Sequence, residues 1–314
     1  RASIMESYFV VKSLANGAAV EICDTDITKY TKKEYDRIRD HLLHHQVVVI
    51  KNQTTNPFEY TKFIENVANP NSKNSLNYGQ FAFTSDGNPF PRSDSVPTRS
   101  WFGSKEDYPV QRVTGKKING KFSGIFSTGK LDWHANLNGL DRADAVALQG
   151  YKHCEQTSTS FLNGSMALDY MDLDLLDEIE DLYAEYEYAP EVWAEGLPED
   201  QLKRMKQNSG KYRMKLVQEN CAGVKGLYFY TNNKCRVVTP TDNLYTQLYD
   251  HMFQEKFMYQ HWWEPGDIVL MDQLLTLHKR DQNDPEILAE RVLHRITFRL
   301  SNVADYVKKY NSVS

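Results

Sequence analysis

A buried strand and the residues that follow it are encoded by Pro265-Gly266-Asp267-Ile268-Val269-Leu270-Met271-Asp272-Gln273-Leu274-Leu275-Thr276-Leu277-His278. Residues 268–271 are apolar without interruption and follow Pro265-Gly266, which is typical of a strand. His278 comes shortly after this strand, in surroundings that suit a site better than a core. The segment predicts a core strand followed by a histidine that is a candidate for a functional site.

Other segments extend this pattern in both directions along the chain. Two helices are predicted early, at residues 32–45 with Thr31 and Glu34 as a capping box, and after Thr55 or Asn56. Strands are predicted at residues 18–22, 47–50, 110–137, 145–151, 212–218, 227–231, 268–271 and 292–300. An acidic amphipathic helix at 165–186 and a charged helix at 191–210 interrupt them, which indicates one β-core with peripheral helices.

Composition limits the classes of function. The chain has 314 residues, of which 40% are hydrophobic and 25% charged, as in ordinary globular enzymes. Its net charge of −5 argues against a nucleic-acid surface. The apolar stretch at residues 47–50 is far shorter than a membrane span and no signal-like segment precedes it, so we expect no membrane association and a cytoplasmic location. Assembly into a homo-oligomer is left open.

A second histidine lies in Leu131-Asp132-Trp133-His134-Ala135-Asn136. Residues i and i+2 of a strand project to the same face, so His134 and Asn136 could reach one metal ion, with the distant His278 completing a facial arrangement. Such a site holds non-haem iron with positions free for a bidentate 2-oxo acid and dioxygen. Either histidine taken alone is more readily explained as structural.

Two arginines follow His278 on a predicted strand. A 2-oxo acid co-substrate with a second carboxylate requires a cation for that group, and Arg291 and Arg295 are available for it. The planar guanidinium offers a fixed fork of donors, which lysine lacks.

Several segments occur in an informative order: residues 41–53, Trp133-His134-Ala135-Asn136, Thr157-Ser158-Thr159-Ser160-Phe161-Leu162-Asn163, residues 262–278 and Glu290-Arg291-Val292-Leu293-His294-Arg295. Each is weak alone. Together, over residues 10–301, they resemble the iron(II)- and 2-oxoglutarate-dependent oxygenases of the taurine dioxygenase (TauD/TfdA-like) family.

The resemblance implies a mainly β fold with flanking helices, a double-stranded β-helix (jelly roll, cupin-like). It implies one domain over residues 1–314, with a helical insert at about 165–210 and a tail at 303–314. Fe(II) would be bound by His134, Asn136 and His278. The co-substrate 2-oxoglutarate would be held by Thr159, Arg291 and Arg295, and dioxygen would be the oxidant.

The resemblance also indicates where a small-molecule substrate would bind. Lys130 lies where family members place a substrate-contacting side chain, and Arg295 could face the same pocket. Two cations favour a small anionic or zwitterionic substrate, of the amino acid or sulfonate type. Trp101, with Phe102 and Tyr108, could cover the site. Lys130 could equally be a solvated turn residue, and the aromatic residues could simply pin a loop.

Asn136 departs from the family pattern, which has a carboxylate at this position. Four interpretations stay open: a hydroxylase with a weak or absent third ligand, a halogenase in which a halide replaces the carboxylate, a deliberately introduced ligand substitution, and a catalytically silent binding protein. Hydroxylation of an aliphatic C–H bond with release of succinate and CO2 is favoured. Halogenation is the first alternative.

Overall fold

The structure is a computed structural model that describes residues 9–69, 76–77, 82–83, 110–126, 131–136, 143–187, 199, 203, 211–230 and 236–301. The strands in this part of the chain are β1 Val10–Leu14, β2 Ala19–Cys23, β3 Val47–Ile50, β4 Leu76–Asn77, β5 Ala82–Phe83, β6 Val110–Val113, β7 Lys117–Ile118, β8 Lys121–Phe122, β9 Ala145–Lys152, β10 Ser158–Asn163, β11 Tyr183–Glu187, β12 Lys211–Lys215, β13 Val217–Glu219, β14 Lys225–Leu227, β15 Arg236–Val238, β16 Met258–Trp262, β17 Ile268–Asp272, β18 Thr276–Arg280 and β19 Val292–Phe298. The α-helices are α1 Lys32–His45, α2 Pro57–Val67, α3 Gly164–Asp169, α4 Leu173–Ile179, α5 Asp242–Met252 and α6 Pro285–Glu290. Short 3₁₀ helices occupy Ala15–Gly17, Ile27–Lys29 and Glu255–Phe257.

Two sheets organise the molecule. The larger sheet has the strand order β1-β2-β3-β17-β9-β19-β6-β5, with β4 also pairing with β19. Its neighbouring strands pair antiparallel except for β2 and β3, which run parallel. The smaller sheet has the order β16-β10-β18 and is antiparallel. A further sheet, β12-β11-β15, and the pairs β13-β14 and β7-β8 lie outside these two.

The two main sheets enclose an apolar interior. One buried cluster combines Val146, Val269 and Leu293 of the larger sheet with Phe161 of the smaller sheet. On β3, Val47 and Val49 join this interior, whereas Val48 and Ile50 join a second cluster. This alternation explains why every residue of β3 is buried, as the unbroken apolar sequence predicts.

Helices cover the outer faces of both sheets. The second cluster packs α1 and α2 against the outer face of the larger sheet. Helix α1 has the predicted bounds because it begins with the capping box formed by Thr31 and Glu34. A third cluster packs α3, α4 and α5 against Leu162 and Leu277 on the outer face of the smaller sheet. The prediction of a mainly β fold with flanking helices is confirmed.

The predicted helix at residues 165–186 is wrong. The chain instead forms α3 and α4, separated by Asp172, whose side chain accepts a hydrogen bond from the Asp174 backbone N–H and caps α4. Residues 183–187 form β11, because pairing with β12 and β15 outweighs the local helical pattern. Ala184 and Tyr186 are buried by that pairing. The segment between the main strands is therefore mixed helix and strand; of the predicted helix at 191–210, only residues 199 and 203 are described.

None of the described helices combines the length and the apolar character needed to cross a membrane.

Candidate iron and 2-oxoglutarate site

The structure brings His134 and His278 together although they are far apart in the sequence. The two residues form an antiparallel bridge in which the His134 N–H donates to the His278 carbonyl over 3.0 Å and the His278 N–H donates back over 2.9 Å. Their ring centroids are 4.2 Å apart. His134 thus continues the smaller sheet beyond β18 and places its imidazole beside that of His278.

The protonation of His134 is determined by its own neighbourhood. Its Nδ1 lies 2.7 Å from the Asp132 backbone carbonyl oxygen. Because a carbonyl oxygen only accepts, Nδ1 carries the proton and donates it. The lone pair therefore remains on Nε2, as in histidines that ligate a metal through Nε2 and are oriented by a hydrogen bond at the other nitrogen.

Burial keeps both imidazoles neutral. It lowers the pKa of His134 to about 4. The pKa of His278 lies well below its ordinary value, first because of burial and then because of the neighbouring His134. Neutral imidazole is the form that binds a metal ion.

Asn136 lies in the same place. Its Nδ2 is 3.3 Å from Nε2 of His278. Its backbone N–H donates to Oε1 of Gln273 over 2.8 Å, and Nδ2 donates to the same oxygen over 3.2 Å. Asn136 therefore lies against His278, which in turn lies beside His134, and Gln273 holds the amide.

The donor set fits a divalent metal with two firm protein ligands. Two buried, neutral imidazoles suit iron, zinc and similar ions, whereas the third protein group is an uncharged amide. Within the described residues, no cluster of three or more His, Cys, Asp or Glu side chains is arranged to hold a metal ion. The carboxylate expected in this kind of site is therefore not replaced by another described acidic side chain.

Arg291 is buried with unused donors. It caps the end of α6 immediately before β19 and is 2% exposed. Its Nε and Nη1 have no hydrogen-bond partner among the described residues. Burial, together with the charge of Arg280, lowers its pKa to about 9. An unpaired buried guanidinium is costly, so an anionic ligand would be stabilised beside it.

Thr159 lies on the interior face of β10. It is directly opposite Arg280 of β18 and His261 of β16. Its Oγ1 accepts a hydrogen bond from the indole N–H of Trp263 over 2.9 Å. This contact directs the hydroxyl proton of Thr159 toward another acceptor.

Arg295 lies on the interior face of β19. It donates through Nη1 to Oε1 of Gln111, and its guanidinium lies 5.8 Å from the centre of the Phe126 ring. The preceding residue, His294, faces the other way and stacks on Tyr151 with ring centroids 4.0 Å apart. The opposite orientations of His294 and Arg295 agree with the strand alternation expected from the sequence.

Comparison with known proteins decides the family. The family model described as taurine catabolism dioxygenase TauD, TfdA family, matches residues 11–297. The chain belongs to this family. A 77-residue segment is 38% identical to pentalenolactone F synthase of Streptomyces arenae and covers 23% of this chain and 25% of that protein. The chain therefore spans about a quarter of this curated relative.

Solved structures show the same fold as this TauD/TfdA-family chain. AAD-2 in complex with Mn(II) and N-oxalylglycine is 19% identical, with a TM-score of 0.62, and the match covers 94% of this chain and 98% of that one. A taurine dioxygenase from Burkholderia xenovorans is 18% identical, with a TM-score of 0.63, covering 93% and 90% respectively. The predicted jelly-roll fold is confirmed.

Sequence reasoning missed three residues of this TauD/TfdA-family site. Gln273, Trp263 and Arg280 contact or adjoin the predicted ligands, yet only the fold brings Gln273 to Asn136 and Trp263 to Thr159. Arg280 was within reach of sequence reasoning, since it is two residues after His278 and so shares its face of β18.

The predicted substrate residues Lys130 and Trp101, with Phe102 and Tyr108, lie outside the described residues. The same holds for the tail at 303–314. Their roles stay predictions.

Proposed function

We propose that this protein is an iron(II)- and 2-oxoglutarate-dependent oxygenase that hydroxylates an aliphatic C–H bond of a small molecule. The observation that carries the proposal is the pairing of two buried, neutral histidines, and a buried arginine whose Nε and Nη1 are unused adds to it. Membership of the TauD/TfdA family supports the same type of oxygenase. The structure of AAD-2 with a metal and N-oxalylglycine is a related precedent for such a site.

The proposed metal ligands are Nε2 of His134 and Nε2 of His278, with Asn136 as the third residue at the metal. Hydrogen bonding from His134 to the Asp132 carbonyl orients the first imidazole. The strand bridge places the backbone of His278 beside that of His134. The contact to Asp132 thus holds the His134 lone pair in place before a metal binds.

The proposed co-substrate residues are Arg291, Thr159 and Arg295. Arg291 would pair with the terminal carboxylate of 2-oxoglutarate, and Thr159 would donate its hydroxyl proton to the same group. When bound, iron and 2-oxoglutarate supply the oxidation, in which dioxygen gives one oxygen atom to succinate, as CO2 leaves, and one to the substrate. The protein's part is orientation of the bound groups and exclusion of water by the apolar interior.

The proposed substrate is anionic or zwitterionic, such as an amino acid or a sulfonate. Arg295 supports this class, since it is buried on the interior face of β19. Lys130 and Trp101 are further proposed substrate contacts. A substrate anion would offset the positive charge of the interior arginines, whose burial is otherwise unfavourable.

Mass spectrometry of reactions tests the proposal. Purified protein is incubated with a metabolite extract or candidate amino acids and sulfonates, with and without iron, 2-oxoglutarate and dioxygen. Hydroxylation predicts a product heavier by one oxygen atom, together with succinate, only when all three are supplied. Succinate formation that is unaffected by removal of iron would contradict it, and saturable binding without turnover would indicate a silent binding protein.

A second candidate, 2-oxoglutarate-dependent halogenation, is favoured by one contact. Oε1 of Gln273 accepts a hydrogen bond from the Asn136 backbone N–H. Because this oxygen is an acceptor, it also attracts the side-chain Nδ2 of Asn136, which donates to it. The Asn136 side chain therefore presents its N–H donor beside Nε2 of His278. An N–H donor stabilises a halide better than it ligates a metal ion. The same reactions with added chloride or bromide separate the two functions, because halogenation predicts a halogenated product that depends on the halide.

A further inference from the structure

Arg280 is a third arginine in the interior between the two sheets. It lies on β18 two residues after His278, so both side chains project from the same face of the strand. Its partner across the ladder to β10 is Thr159, while that of His278 is Phe161. Since Phe161 belongs to the apolar interior, Arg280 and Thr159 lie side by side on the face that lines it.

The guanidinium of Arg280 is only partly satisfied. Arg280 is 8% exposed, and its Nη2 donates to the backbone carbonyl of Phe126 over 2.6 Å. Its Nη1 is buried and has no hydrogen-bond partner among the described residues. Burial lowers its pKa to about 10. The Phe126 carbonyl accounts for one nitrogen of the guanidinium and leaves the buried Nη1 available to a ligand.

Arg280 and Arg291 are close enough to affect each other. The charge of Arg280 contributes to the lowered pKa of Arg291. Two neighbouring buried cations repel one another, and an anion between them converts this repulsion into attraction on both sides. An anion placed between the two residues would therefore be attracted by both.

We propose that Arg280 is a second guanidinium for the terminal carboxylate of the 2-oxo acid and determines selectivity for dicarboxylic over monocarboxylic 2-oxo acids. The inference rests on the proposed function and adds a residue to its co-substrate site. A carboxylate has about four lone-pair positions, which can accept from Arg291, Arg280 and Thr159 at the same time. Each of these donors lies on an element that borders the interior.

A matched pair of ligands tests this role without turnover. 2-Oxopentanoate has the chain length of 2-oxoglutarate and lacks only the terminal carboxylate. Binding of each ligand to the Mn(II)-loaded protein is measured by calorimetry for the unchanged protein, Arg280→Gln and Arg280→Lys. Lys279→Gln is the control, because it removes a positive charge one position away on the opposite face of β18.

The expected result is a loss of 2-oxoglutarate affinity of about 10- to 100-fold in Arg280→Gln, the range for one charge-assisted contact. Binding of 2-oxopentanoate and of Mn(II) is expected to stay within about twofold. Arg280→Lys should retain part of the affinity, since it keeps the charge and loses the fork. Lys279→Gln should bind both ligands as the unchanged protein does.

Two results would overturn the role of Arg280. One is an unchanged 2-oxoglutarate affinity in Arg280→Gln; the other is an equal loss for both ligands, which would show a structural role. If Arg280→Gln does not fold, Arg280→Lys gives the same comparison. Failure of the unchanged protein to bind 2-oxoglutarate would instead contradict the proposed function itself.

Discussion

Trp263 donates its indole N–H to the hydroxyl oxygen of Thr159 over 2.9 Å, and both side chains are buried. The hydroxyl oxygen of Thr159 therefore accepts from a fixed donor, and its hydroxyl proton remains available to a ligand. The contact crosses from the residue after β16 to β10, so it links the edge of the smaller sheet to the proposed co-substrate site.

Replacing Trp263 with Phe should weaken 2-oxoglutarate binding about 3- to 10-fold. The variant keeps a large apolar ring and removes the N–H that orients Thr159. The apparent Kd measured by calorimetry with Mn(II) present reports the change. Trp262→Phe is the control, because Trp262 is 58% exposed on the other face of the strand. An equal effect of both substitutions would count against the orienting role.

Asn136→Asp should tighten metal binding by at least about 10-fold. A carboxylate brings a negative charge to a position beside His278 where the amide brings none, and a gain of about 1.4 kcal/mol corresponds to that factor. Competition with a metal-binding dye measures the affinity. Asn66→Asp adds the same charge at an exposed position of α2 and should change nothing. Unchanged metal affinity in Asn136→Asp would show that residue 136 is not at the metal.

The loop between β16 and β17 depends on Gly266. This residue has φ of +93°, and a Cβ there would lie 2.4 Å from the Gln53 carbonyl oxygen. Gly223 has a similar φ of +82° and open space around it. Gly266→Ala should therefore cost at least about 2 kcal/mol of unfolding free energy, from backbone strain plus the clash, whereas Gly223→Ala should cost about 1 kcal/mol. Urea unfolding compares them, and equal losses would refute the crowding at Gly266.

Asp272 should make stability depend on pH. Burial raises the pKa of this carboxyl to about 7, against an ordinary value of 3.8. Between about pH 4 and 7 the folded protein therefore keeps a proton that the unfolded chain releases, so this residue's contribution to stability is full at low pH and falls as pH rises. The slope is at most about 1.4 kcal/mol per pH unit.

Asp272→Asn should remove that part of the pH dependence. The variant keeps an oxygen that can accept from the Leu274 backbone N–H, as Asp272 does over 2.8 Å. Unfolding free energies of both proteins from pH 4.5 to 7.5 give the difference in slope. Identical slopes would show that Asp272 titrates normally in the folded protein.

Local signals explain which parts of the fold were predictable. Helix α1 is predicted to the residue because Thr31 and Glu34 form its capping box within four residues of sequence. Strand β3 is predicted because four consecutive apolar residues are typical of a strand that is buried on both faces, as β3 is. The strand at residues 183–187 could not be predicted in this way. It depends on pairing with residues 211–215 and 236–238, and local periodicity carries no information about these partners.

The candidate site also has residues that the sequence predicts and residues that it does not. His134 and His278 could be named from sequence because motif order and strand alternation both apply to them. Gln273 could not, since its role is a side-chain contact to Asn136 across a long chain separation. Arg280 was missed for a different reason: its position on the His278 face was readable, but its burial and its nearness to Arg291 come from the fold.

We propose that His134 and His278 hold iron to which a 2-oxo acid, anchored by Arg291, binds. Anaerobic titration of the Fe(II)-loaded protein with 2-oxoglutarate, followed by visible absorption, tests it directly. A 2-oxo acid chelated to Fe(II) gives a charge-transfer band. We expect this band in the unchanged protein and its loss in His278→Ala. In Arg291→Gln the 2-oxoglutarate concentration at half-saturation should be at least about 10-fold higher. His44→Ala, at an exposed position of α1, should behave as the unchanged protein does. Absence of the band in the iron-loaded protein, or its persistence in His278→Ala at the same 2-oxoglutarate concentration, would contradict iron binding by His134 and His278.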